Sequence, residues 1–189
     1  MAQRCRTDQA RTATGTSVTM ETALARPIRP VTTDIVMTAQ THSASRTILA
    51  TPRAIFRAFV DPEVVPKWRA PANMEARLLS FDPRVGGGYR MELVYRHPAN
   101  GDPKSTGTSD IVEASFVELF PDEKIVETAQ FESDDPRFTG TMTLTTTMKP
   151  VAGGTKVTFV AENVPSGISE ADHVMGMEST LKSLANLLE

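Results

Sequence analysis

Between positions 89 and 96, apolar and polar side chains take turns: Tyr89, Met91, Leu93 and Tyr95 against Arg90, Glu92 and Arg96. Successive side chains of an extended chain point to opposite faces, so a two-residue period predicts a strand with one buried face. The period recurs over 140–148, where Met142, Leu144, Thr146 and Met148 oppose Thr141, Thr143, Thr145 and Thr147. A threonine face favours extended structure and suits water, as in an antiparallel sheet solvated on one side. Further strands are predicted over 43–50, 75–81, 109–119, 125–132 and 156–162. The stretches DPRVGGG, HPANGDPKSTG, FPDEK, DDPRF and PVAGG punctuate them.

The period becomes helical after the first strand and again at the end of the chain. Thr51 has the character of an N-cap, and Pro52 stands at the first helical position, where a missing N–H costs nothing. Ile55, Phe56, Phe59 and Val60 then keep helical spacing, which predicts a short amphipathic helix over 52–61. DPEVVPKW follows as a second helical piece, broken by Pro66 and ending at Trp68. The longest helix comes last. Ser169 and Asp172 resemble a capping box, and Val174, Met177, Leu181, Leu184 and Leu188 form one apolar stripe beyond them. About seven strands with one apolar face, plus one amphipathic rod, predict an α+β fold in which a curved antiparallel sheet wraps the C-terminal helix.

Residues 1–40 have a different character. They carry Arg4, Arg6, Arg11, Arg26 and Arg29 against Asp8, Glu21 and Asp34, with neither lysine nor aromatic residue. Such a segment buries too little apolar surface to offset chain entropy, so it is expected to be a disordered leader or a start placed too far upstream. Met37 would make a natural first residue, and 41–189 is expected to form a single ligand-binding domain.

The net charge of −3 and the absence of basic clusters interleaved with aromatics argue against nucleic acid as a partner. One cysteine, Cys5, cannot form an internal disulfide, and no Cys/His set has metal-ligand spacing. No run approaches the ~18 apolar residues of a membrane span. A cytoplasmic protein, monomeric or homodimeric and without cofactor or metal, is the expectation.

Gly86, Gly87 and Gly88 raise the question of a phosphate loop. Such loops run into a helix whose first N–H groups meet the anion. Here the glycines run into the alternating segment at Tyr89, so a turn between antiparallel strands is predicted instead.

Taken in order, ATPRAIFRAFVDPEVVPKW, FDPRVGGGYRMEL, FVELFPDEKIVETAQF, GGTKVTF and GMESTLKSLANLLE resemble a known family over about 45–189. It is the domain related to the C-terminal part of the activator of heat-shock protein 90 ATPase, within the START/birch-pollen-allergen-like (SRPBCC) superfamily. The resemblance implies a helix-grip fold with a cavity between sheet and helix. It departs from the common pattern at Met177, where members often carry tryptophan after the glycine equivalent to Gly176.

The inward positions are soft and aromatic: Met91, Met142, Met148, Met175 and Met177, with Trp68, Tyr89, Tyr95, Phe131 and Phe159. Thioethers fill irregular space, and apolar cavities are the usual form of small-molecule sites. These residues either line a cavity or fill the core. Glu127 shares its parity with Ile125, Ala129 and Phe131, which points it inward as a buried acid with a raised pKa. Its alternatives are a bulge that turns it to solvent, or an arginine partner such as Arg90. His173 lies in the first turn of the last helix, where a cavity mouth would be, either as a ligand contact or as a partly exposed helix-start residue. Lys67, Arg69 and His97 read as solvated. Asp110 and Glu113 face opposite ways in a strand and cannot pair.

Ligand contacts are therefore expected from Trp68, Tyr89, Met91, Glu127, Phe131, Met142, His173 and Met177, with no catalytic residue assigned. The leading expectation is non-catalytic binding of a small hydrophobic or amphipathic molecule. Behind it stand a co-chaperone role stimulating the heat-shock protein 90 ATPase, with a place in stress response, and then a cyclase or hydrolase working through Glu127 or His173.

Overall fold

A computed structural model describes residues 40–97, 104–105 and 107–189. The expected leader falls almost wholly on residues 1–39, which lie outside the described residues.

Seven strands form one antiparallel sheet in the order β1-β7-β6-β5-β4-β3-β2. They are β1 (Gln40–Ile48), β2 (Met74–Phe81), β3 (Gly88–Tyr95), β4 (Ser109–Phe120), β5 (Lys124–Phe131), β6 (Met142–Val151) and β7 (Gly154–Val164). Two short helices, α1 (Pro52–Val60) and α2 (Val65–Trp68), stand between β1 and β2, and α3 (Glu170–Leu188) ends the chain. The first strand thus pairs with the last, and α3 packs on β1 and α2. The sheet and terminal helix are those the period changes predicted, in the helix-grip arrangement that the resemblance implied.

Local signals set the ends of the helices. Thr51 Oγ1 accepts the Ala54 N–H at 3.2 Å, and Ile55, Ala58 and Phe59 make the buried face of α1. Ser169 Oγ likewise accepts the Asp172 N–H at 3.1 Å, completing the cap of α3. Met177, Leu181, Leu184 and Ala185 are buried on α3, with Val174 and Leu188 half-buried on the same stripe. Pro66 does not break the second helix. It stands within the first turn of α2, where its missing N–H has no partner to lose.

The glycine loop is a turn whose three glycines are favoured for different reasons: at Gly87 a Cβ would lie 2.5 Å from the Asp82 carbonyl oxygen. Gly86 has φ +82°, the left-handed region that disfavours a Cβ. At Gly88 a Cβ would lie 1.9 Å from the Ala114 carbonyl oxygen, so β3 and β4 could not pair with any other residue there.

A row of facing residues explains why the sheet leaves space above it. Tyr89 pairs with Ala114, Ala114 with Ala129, and Ala129 with Met142. Two alanines at the centre of the concave face thin the wall that larger side chains would otherwise fill. In β6, Met142, Thr146 and Met148 are buried, while Thr143, Thr145 and Thr147 keep part of their surface exposed. The outward threonine face is the predicted one. Met175 departs from expectation: it is 63% exposed, because a residue two positions before Met177 points about 200° away around the helix.

Candidate functional site

The hollow between the sheet and α3 is a cavity of about 790 Å³. Drug-sized ligand sites run to about 300–1,000 Å³. Its walls include all eight expected residues: Trp68 of α2, Tyr89 and Met91 of β3, Glu127 and Phe131 of β5, Met142 of β6, and His173 and Met177 of α3. They come from five elements, so only the closed fold brings them together.

Trp68 anchors one side. Its indole Nε1 donates to the Ala58 carbonyl at 3.0 Å, and its ring meets Phe59 edge-on at 4.6 Å between centroids. Burial of the Trp68 ring turns the next residue, Arg69, over the sheet. The Arg69 side chain is only 13% exposed, contrary to the expectation of a surface cation. Its Nη2 donates to the Glu127 Oε2 at 2.6 Å and to the Tyr89 hydroxyl at 2.5 Å. The guanidinium carbon lies 4.8 Å from the Tyr89 ring centroid and 5.5 Å from those of Phe59 and Trp68. Glu127 points inward as its parity predicted, with 1% of its surface exposed. Its partner is Arg69, whereas Arg90 binds Glu132 on the outer side of the sheet.

The surroundings shift both Arg69 and Tyr89. Burial works against the charge of Arg69, but Glu127 and Tyr89 outweigh it and raise the arginine above its ordinary value. Burial, with the neighbouring carboxylate, also pushes the Tyr89 phenol well up, so it stays protonated. Bonds to Oε2 and Nη2 leave Glu127 Oε1 and Arg69 Nη1 buried without a hydrogen-bond partner among the described residues.

A second pair lines the cavity farther along. Asp110 is 1% exposed, and its Oδ2 accepts from Lys104 Nζ at 2.7 Å and from the Tyr95 hydroxyl at 3.2 Å. Its Oδ1 takes the Lys104 backbone N–H at 2.6 Å. Neither Lys104 nor Asp110 was expected here. A signal did exist for Asp110, which shares the parity of the inward Val112, Ala114 and Phe116.

On α3, His173 faces His42 of β1, Nδ1 to Nδ1 at 3.0 Å. Desolvation first, then His42 and Lys104, lower His173 from 6.5 to about 4, so the ring is neutral at physiological pH. The Ala72 N–H donates to Ser179 Oγ at 3.0 Å and ties the chain after α2 to α3. Among the described residues, no group of three or more His, Cys, Asp or Glu could hold a metal ion. No helix there is long and apolar enough to cross a membrane.

The family model for "Activator of Hsp90 ATPase homolog 1-like protein" matches residues 49–189. The chain belongs to this family. Among solved structures, protein CV1439 from Chromobacterium violaceum is 33% identical, with a TM-score of 0.69 over 79% of this chain and 96% of that one. Mll3558 from Rhizobium loti is 26% identical, with a TM-score of 0.61 over 78% and 96% of the two chains. MLL2253 from Mesorhizobium loti, at 20% identity and a TM-score of 0.59 over 79% and 96%, shares the fold. A search among curated proteins finds no match.

Proposed function

We propose that this family member binds a small amphipathic molecule in the cavity between the sheet and α3, without chemical conversion. One observation carries the reading: a hollow of about 790 Å³ walled by Met91, Met142, Phe131 and Met177, with a buried ion pair at one side. Apolar walls with a few fixed polar groups suit ligand capture, the walls supplying affinity and the polar groups orientation.

Displacement of an environment-sensitive apolar fluorophore tests it, with Gly176→Trp as the control. An added Cβ at Gly176 meets nothing within 4 Å, and the residue lines the cavity, so an indole there has room to occupy it. Saturable uptake by the native chain, lost in Gly176→Trp with the fold intact by circular dichroism, is expected. A native chain that takes up no fluorophore would end this reading.

The family name supports a second reading, stimulation of a heat-shock protein 90 ATPase by the folded module. Its test is an ATPase assay with the purified chaperone. An unchanged turnover together with no complex on gel filtration would remove it.

A further inference from the structure

We propose that Arg69 Nη1 and Glu127 Oε1 together form the head-group subsite of the cavity, and that it takes an uncharged head carrying a donor beside an acceptor, a carboxamide by class. The inference rests on the cavity-binding reading above and gives it a ligand chemistry.

Both atoms are buried and have no hydrogen-bond partner among the described residues, although their sister atoms Nη2 and Oε2 are bonded. A buried donor or acceptor left unpaired is costly, so native structures rarely retain one without a reason. Arg69 and Glu127 both line the cavity, and these two atoms on adjoining side chains, one donor and one acceptor, make a complementary pair. Guanidinium Nη1 supplies N–H groups, and the carboxylate Oε1 supplies lone pairs.

The charge state of the surroundings selects the head. Arg69 is balanced by Glu127 at 2.6 Å, and Lys104 by Asp110 at 2.7 Å. A carboxylate head reaching Arg69 meets the charge of Glu127, and an ammonium head reaching Glu127 meets Arg69. Burying either ion without a free counter-charge is unfavourable. A carboxamide avoids both conflicts, since its carbonyl accepts from Nη1 while its N–H donates to Oε1. Its apolar tail then lies along Met91, Met142 and Phe131.

The test is calorimetric titration of the full chain with decanamide, decanoate and decylamine, equal in tail and different only in head. Decanamide is expected to bind about tenfold tighter than either ion. In Glu127→Gln, which keeps the shape and removes the negative charge, Arg69 is left without its counter-ion, and the preference should swing to decanoate. Equal affinities for the three probes in the native chain would overturn the inference while leaving the cavity reading intact. So would decanoate binding tightest in the native chain. If none binds, the cavity reading falls first and the head-group subsite with it. Thermal melts of Glu127→Gln show whether it is folded, and the native-chain comparison decides the matter without it.

Discussion

The Nδ1 atoms of His42 and His173 lie 3.0 Å apart, joining the first strand to the first turn of the last helix. One ring must donate the proton between them and the other must accept it, so the contact exists only while the pair is not doubly charged.

That requirement gives the fold a pH dependence. His173 is near 4 in the folded chain against 6.5 for an unperturbed ring, so the unfolded chain binds more protons between those values. Stability is full above about pH 6.5, falls as the pH drops toward 4, and loses nothing more from this group below that. Partial solvent exposure limits the slope to about 1 kcal/mol per pH unit. Urea unfolding at steps from pH 7 to 4 measures it, and His173→Gln is expected to flatten the curve across that window.

Arg69 and Glu127 are expected to behave as a unit. Removing one leaves the other buried and unbalanced, so Arg69→Met and Glu127→Leu should each cost about 3–5 kcal/mol. The double variant should lose less than the sum, and a double-mutant cycle in urea reads the coupling. Additive losses would show that the two side chains stabilise the wall independently.

Trp68 contributes packing and one hydrogen bond. Trp68→Phe keeps an aromatic ring but leaves the Ala58 carbonyl, otherwise satisfied at 3.0 Å, without its side-chain donor. A loss of about 1–3 kcal/mol is expected, against about 3–5 kcal/mol for Trp68→Ala. Equal losses in the two variants would argue that the ring's volume contributes nothing.

Three glycines should respond in three ways to alanine. Gly88→Ala drives a methyl into the Ala114 backbone and is expected to cost ~3 kcal/mol or more, because neither strand can yield without breaking the ladder. Gly86→Ala meets open space and carries only the left-handed backbone penalty, about 1–2 kcal/mol. Gly176→Ala, inside α3 with nothing within 4 Å of the new methyl, should raise stability by about 0.8–1 kcal/mol. Thermal melts of the three variants give the order directly.

Much of the architecture was legible because its causes are local. The two-residue period in β3 and β6, the Thr51 and Ser169 caps, and the stripe on α3 each depend on neighbours a few positions away. They set the strands, the helices and the inward side of Glu127 without reference to the rest of the chain. Asp110 could have been read in the same manner from the parity of Val112, Ala114 and Phe116.

The partner of Glu127 could not. Arg69 lies 58 residues earlier, at the C-cap of a helix only four residues long, too short for a period to say which way a side chain turns. What aims it is the burial of Trp68 against Phe59 and the open space above Ala129, both consequences of closing the sheet over the helices. The sequence by itself determined the elements and which side of each strand is apolar. Only the tertiary structure decided which charges meet inside the hollow, because pairing across it depends on through-space distance, and no local pattern along the chain encodes that distance.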